Sequence, residues 1–76
     1  MNLLAINNIY DFQETLRRVK VARLRAICND YNIKCSRKGV TNKWVLLLNI
    51  YKYIFGIDPE QHSNEHYTIV SNMALR

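Results

Sequence analysis

The segment from Lys43 to Phe55 is apolar around almost the whole circumference of a helix, and it constrains the fold more than any other feature of the chain. Only Asn49 and Lys52 interrupt it, as a narrow polar strip. Its apolar residues are Trp44, Val45, Leu46, Leu47, Leu48, Ile50, Tyr51, Tyr53, Ile54 and Phe55. Such a helix is either the central element of a core or a surface that a partner covers.

The composition favours helices over a β fold. Two glycines and one proline among 76 residues supply too few turns for a many-stranded sandwich or barrel. A hydrophobic content of 49% excludes a disordered polar chain. The apolar run at 44–57 is shorter than the roughly 20 residues that cross a bilayer, so we expect no membrane span. We therefore expect an all-α fold, a small bundle of three to five helices.

Apolar periodicity predicts two helices before the apolar segment. The first runs from about Asn8 to Arg18, with Asn7 or Asn8 as its N-cap, and the second from about Lys20 to Tyr31. The residues expected to face the core are Ile9, Phe12, Leu16, Val19, Val21, Leu24, Ile27, Cys28 and Tyr31. Ile33 is expected to follow them as a buried anchor.

The chain after the apolar segment contains further helix signals. Gly56 is expected to end the third helix, which Thr41 or Asn42 begins as N-cap. Asp58 and Pro59 then read as an N-cap and a first helical residue, with Gln61 as a capping-box partner and Ser63 as an alternative start.

The chain divides into two parts by these signals. Residues 1–57 read as one compact unit, and residues 58–76 read as a closing helix or a tail that continues into a longer parent protein. No repeat or Gly/Ser/Pro-rich linker separates further domains.

The charge balance points to polyanionic partners. Eleven Lys and Arg residues against six Asp and Glu residues give a net charge of +5. A basic loop at 32–40 leads directly into a helix start, where free backbone N–H groups and the helix dipole favour phosphate. The candidate residues are Lys34, Arg37, Lys38, Gly39, Thr41, Asn42 and Lys43. The alternative is a solvated loop whose charges aid solubility.

A second basic set lies on the preceding elements, and it comprises Arg17, Arg18, Lys20, Arg23 and Arg25. If helix packing brings these cations beside the basic loop, the surface would follow a nucleic-acid backbone rather than bind one phosphate. The alternative is a solvated face that nearby carboxylates offset.

The run at 19–33 resembles the first helix of a SAP domain, a helix-extended loop-helix module. The matching residues are Val21, Leu24, Arg25, Ile27 and Ile33, followed in the second half of the motif by Lys43, Leu46 and Ile50. The resemblance covers about residues 16–55. Thr41 stands where the family has glycine, Gly39 lies two residues earlier, and the loop is about four residues longer than usual.

The resemblance implies a non-catalytic DNA-binding module that targets a nuclear protein to chromatin. Its partner would be double-stranded A·T-rich DNA, contacted at the phosphates and in the minor groove. Carried over by position, the DNA-binding residues are Arg23, Arg25, Lys38, Gly39, Thr41 and Lys43, and the loop cations Lys34 and Arg37 join them. A helix before the motif at the N-terminus is similar to the layout of PIAS/Siz-type SUMO ligases, whose catalytic region lies far downstream.

Metal binding and catalysis are not expected. Cys28, Cys35, His62 and His66 offer possible zinc ligands, but the two cysteines are spaced more widely than the usual zinc knuckle. A nucleophilic cysteine would need an orienting acid at a telling spacing, which the chain lacks. We therefore expect no cofactor and no small-molecule substrate.

The competing interpretation is a protein-protein interaction module. The apolar third helix would then self-associate or bind a partner helix, with the basic face docking an acidic peptide. The aromatic residues of this helix are expected to be core residues rather than platforms for bases.

Overall fold

The computed structural model describes residues 2–34 and 42–75, and this part of the chain contains five α-helices and no strand. The helices are α1 (Ile9–Leu16), α2 (Val21–Asp30), α3 (Lys43–Phe55), α4 (Pro59–His62) and α5 (Asn64–Ala74), preceded by a short 3-10 helix at Leu3–Ala5. The all-α prediction is confirmed.

Helix α3 is the central element of the bundle. It packs against α2, α4 and α5, and Phe12 of α1 contacts its Tyr51 and Phe55 rings. Its fully buried residues are Leu46, Leu47, Ile50 and Tyr51. Tyr53 is the exposed large apolar side chain of α3, at 43%. The helix therefore directs most of its apolar surface into the core rather than toward a partner.

Helices α1 and α2 begin and end within two residues of the predicted bounds. Asn8 is the N-cap of α1, since its Oδ1 accepts a hydrogen bond from the Asp11 backbone N–H at 2.9 Å. The predicted core faces are confirmed for Ile9, Phe12, Leu16, Leu24, Ile27 and Cys28, which are all buried. Val19, Val21, Tyr31 and Ile33 are half-buried and pack against that core.

Two helices, α4 and α5, follow α3 and end at Ala74. Pro59 is the first residue of α4, and Ser63 begins α5 by accepting a hydrogen bond from the His66 backbone N–H at 3.1 Å. The expected capping box at Asp58 is wrong, because that carboxylate lies 3.7 Å from the Lys52 ammonium and makes no side-chain cap. Helix α5 then places buried side chains in the common core, namely Val70 and Met73.

Gly56 ends α3 in the left-handed conformation, with φ of 78°, and donates its N–H to the Lys52 carbonyl at 2.8 Å. An added Cβ would meet no atom within 4 Å, so backbone strain is the only penalty. We expect Gly56→Ala to lower the free energy of unfolding by about 1 kcal/mol and Gly56→Asn by less, because asparagine tolerates this region. Urea unfolding followed by circular dichroism measures both, and equal costs would contradict the conformational explanation.

Candidate nucleic-acid interface

An open groove of about 470 Å³ lies where the linker between α1 and α2 meets the start of α3. Its lining residues are Arg17, Arg18, Val19, Lys20, Val21 and Lys43. Four of these six residues are cations, and the two valines supply apolar surface between them. The structure thus gathers positive charge from two separate parts of the chain around one concave surface.

The linker is held in place by the core on both of its sides. Leu16 and Leu24 flank it and are fully buried, and the Val19 N–H donates to the Leu16 carbonyl at 3.1 Å. This short turn leaves Arg18 and Lys20 exposed while Val19 packs against the core. The two cations are therefore presented to solvent from a fixed backbone.

Two helix N-termini adjoin the groove. Val21 is the first residue of α2 and Lys43 is the first residue of α3, and both line it. Asn42 caps α3 by accepting from the Trp44 N–H at 2.9 Å, whereas no side chain in the described part of the chain caps α2. The positive ends of two helix dipoles therefore add to the side-chain cations, an arrangement that favours anions.

Carboxylates of the described residues compensate Arg17, Arg18 and Lys20 only weakly. Among residues 2–34 and 42–75, Arg18 and Lys20 form no ion pair. The Arg17 guanidinium lies 3.9 Å from Glu14 across one helical turn, and both side chains are exposed. Such a surface pair contributes at most about 1 kcal/mol and yields readily to a phosphate.

Positive charge is also concentrated along the chain around the groove. Residues 15–57 contain ten of the eleven Lys and Arg residues and a single carboxylate, that of Asp30. Residues 58–76 contain three carboxylates and one arginine. The central part of the sequence is thus strongly cationic and the C-terminal part is weakly acidic.

The predicted binding residues on described positions fall into two groups. Lys43 lines the groove, whereas Arg23, Arg25 and Lys34 are exposed outside its lining. The 100° helical step places Arg25 on the same side of α2 as Val21 and places Arg23 on the opposite side. Arg25 therefore extends the cationic surface from the groove, and Arg23 does not.

The remaining predicted residues lie outside the described residues, and they are Arg37, Lys38, Gly39 and Thr41. The structure instead brings Arg17, Arg18 and Lys20 to Lys43. The sequence shows these three cations, but the basic loop at 32–40 is its stronger signal for phosphate binding. The available signal was their place in a short linker between two helices of one core.

A second polar cluster lies near the C-terminal end of α3, where α3, α4 and α5 meet. The Tyr51 hydroxyl lies 2.6 Å from Nδ1 of His62 and 2.6 Å from Nδ1 of His66. Within the described residues, no group of three or more His, Cys, Asp or Glu side chains is placed to hold a metal ion. Cys28 is buried in the core face of α2, and Cys35 lies outside the described residues.

The fold and the groove define a small all-helical protein with a cationic surface at the meeting of two helix N-termini. In the described ranges, no helix has the length and apolar character to span a bilayer. Comparisons of the chain with protein-family models, with curated proteins and with solved structures find no match.

Proposed function

We propose that this protein is a non-catalytic DNA-binding module that contacts the backbone of double-stranded DNA through the cationic groove. The observation that carries the proposal is the convergence of Arg18, Lys20 and Lys43 around one groove beside the N-termini of α2 and α3. Duplex DNA presents a phosphate charge about every 1.7 Å along its axis, so a row of cations gains contacts that a single phosphate cannot offer.

The chemistry of the groove favours A·T-rich duplexes. Narrow minor grooves of A-tracts have enhanced negative potential and attract inserted arginine and lysine side chains. Arg18 is exposed and is unpaired among described residues, so it is available for such an insertion without first breaking an ion pair. The remaining groove cations would lie along the flanking phosphates.

The resemblance to SAP domains supports the same proposal. Helices α2 and α3 cover the two helical halves of the matching motif, and the segment between them has the position of the extended loop. On this proposal the module targets a nuclear protein to chromatin, and PIAS/Siz-type SUMO ligases are one class of parent that fits its layout.

Titration of isotopically labelled protein with A·T-rich and G·C-rich duplexes tests the proposal. We expect amide shifts around residues 17–21 and 43, with tighter binding to the A·T-rich duplex. Between about 50 mM and about 200 mM salt, the affinity should fall at least about tenfold if two or more phosphates are contacted.

A parallel titration with an acidic peptide, which has the same net charge as the duplex, serves as the comparison. Shifts with the peptide and none with either duplex at low salt would replace DNA binding by the protein-interaction alternative. Shifts with neither ligand would contradict both uses of the groove.

A further inference from the structure

A Tyr-His-His cluster connects three helices near the C-terminal end of α3, whereas the groove lies at its N-terminal end. Tyr51 of α3, His62 of α4 and His66 of α5 meet at the tyrosine hydroxyl, which lies 2.6 Å from both Nδ1 atoms. The two imidazole rings also lie against each other, with centroids 4.3 Å apart. Phe55 packs beside both rings at about the same distance, 6.1 and 5.9 Å.

The single hydroxyl proton of Tyr51 limits the protonation states that the two histidines can adopt. A tyrosine hydroxyl has one proton, so it donates to one Nδ1 and must accept an N–H from the other. His62 is exposed and His66 is half-buried. We assign the accepting Nδ1 to His66, which stays neutral, and the donating Nδ1–H to His62, whose charged form makes the same bond.

The cluster can therefore accommodate one positive charge but not two. Protonation of His62 leaves both hydrogen bonds intact. Protonation of His66 at Nδ1 removes the acceptor of the Tyr51 hydroxyl proton, and two cationic rings would then lie 4.3 Å apart. The two histidines are coupled, so the second proton binds less readily than the first.

The pKa shifts in the cluster agree with a limit of one positive charge. Burial and the neighbouring His62 charge lower the pKa of His66 below 6.5, while Glu65 opposes them. Burial raises the pKa of Tyr51 to about 12, so the phenol keeps its proton. The unfolded chain protonates His66 at higher pH than the folded chain, so the free energy of unfolding decreases as pH falls below 6.5.

Other titratable groups packed around the cluster form only surface contacts. From α3, Lys52 pairs with Asp58 at 3.7 Å, and both side chains are substantially exposed. From α1, the Tyr10 hydroxyl lies 3.3 Å from a carboxylate oxygen of Glu65 on α5. None of these contacts replaces the part-buried bonds of Tyr51. Pro59 is fully buried and holds the start of α4, so the cluster holds the end of that helix.

The rest of α5 is attached independently of the histidines. Val70 and Met73 are buried in the common core, and Tyr67 contacts Trp44 edge to face at 5.7 Å. A disturbance at the cluster should therefore open the end of α4 and the first turn of α5 while the second half of α5 stays in place.

We propose that Tyr51, His62 and His66 form a pH-sensitive latch that holds the end of α4 and the first turn of α5 on α3 and releases them when both imidazoles are protonated. This device is independent of the groove and of any nucleic acid bound there.

Amide hydrogen exchange of the full chain at about pH 7 and about pH 5 tests the latch. The reporter amides are those of His62, Ser63 and His66, which bond to Asp58, Pro59 and Ser63. We expect their protection factors to fall at least fivefold, roughly, on acidification, whereas that of Ile27 in α2 changes less than about twofold.

Replacement of both histidines by asparagine is the matched control. In His62→Asn plus His66→Asn, the amide groups stand where Nδ1 stood, so one accepts from Tyr51 and the other donates to it without titrating. We expect protection of the three reporter amides to become independent of pH. The same loss in the double variant as in the natural chain would overturn the latch.

The natural chain alone also provides a decisive readout, whether or not the double variant folds. The ring resonances of His66 should titrate below 6.5, and this step should coincide with the loss of reporter protection. Titration of His66 at the ordinary histidine pKa, or an equal loss of protection at Ile27, would overturn the proposal.

Discussion

Replacing Arg18 and Lys20 together by glutamine is expected to weaken binding to an A·T-rich duplex roughly tenfold at about 50 mM salt. Both side chains are exposed and form no ion pair among the described residues, so their removal leaves no stranded partner and no cavity. For each phosphate contact that is lost, binding releases one fewer counterion from the DNA. The slope of log affinity against log salt should therefore become less steep by about two. Fluorescence anisotropy with a labelled duplex at several salt concentrations measures both quantities.

The variant Lys52→Glu is the matched control for net charge. It lowers the charge of the chain by two, as the double glutamine variant does, but it acts on the side of α3 near α4, at the Asp58 pair. We expect it to weaken duplex binding less than about twofold. Equal losses in the two variants would show that overall charge, and not the groove, attracts the duplex. An unchanged affinity in Arg18→Gln plus Lys20→Gln would exclude the groove as the binding surface.

The helices were predictable from the sequence because their signals are local. Asn42 and Gly56 mark the two ends of α3, and the structure places its bounds at Lys43 and Phe55 as predicted. Its central position was one of two alternatives, since an all-round apolar helix has the same sequence pattern in a core and at an interface. Only the packing of the other helices around it decides between the two.

The groove could be predicted only in part. Its cations were visible as residues, but the distance from Lys20 to Lys43 along the chain is 23 positions, and no local signal gives their proximity. Lys20 and Lys43 line the same groove because α2 packs on α3 with the N-termini of both helices at the same end. Apolar periodicity predicts which face of a helix is buried. It does not predict which other helix lies beside its first residue in the folded protein.

The Tyr-His-His cluster was missed for a related reason. The sequence pattern predicts Tyr51 to be a core aromatic, and it offers His62 and His66 as metal ligands or as partners of a nucleophilic cysteine. The tyrosine precedes the histidines by 11 and 15 positions, so the hydroxyl and the rings meet only through tertiary packing. Ser63 is one of the two helix starts that the sequence offers in this region, and in the structure it begins α5 between the two histidines.

The largest effect on stability is expected for Phe12→Ala, with a loss of about 3–5 kcal/mol in the free energy of unfolding. Phe12 is fully buried and attaches α1 to α3, with its ring 5.7 Å from Tyr51 and 6.1 Å from Phe55. Its removal loses the transfer free energy of the ring, leaves a cavity and breaks two aromatic contacts. A chain of 76 residues has a total stability of about 4–11 kcal/mol, so this variant should be largely unfolded in mild urea.

Tyr10→Ala on the same helix is the control for this experiment. Tyr10 is 57% exposed and its described contact is the 3.3 Å bond to Glu65, so we expect a loss below about 1 kcal/mol. Urea unfolding followed by far-ultraviolet circular dichroism compares the two variants with the natural chain. Because α1 leads directly into the linker that carries Arg18 and Lys20, the unfolding of α1 in Phe12→Ala should also remove duplex binding. Equal, small losses of stability in both variants would mean that α1 does not pack on α3 through Phe12, and the linker would then lack the fixed backbone on which the groove depends.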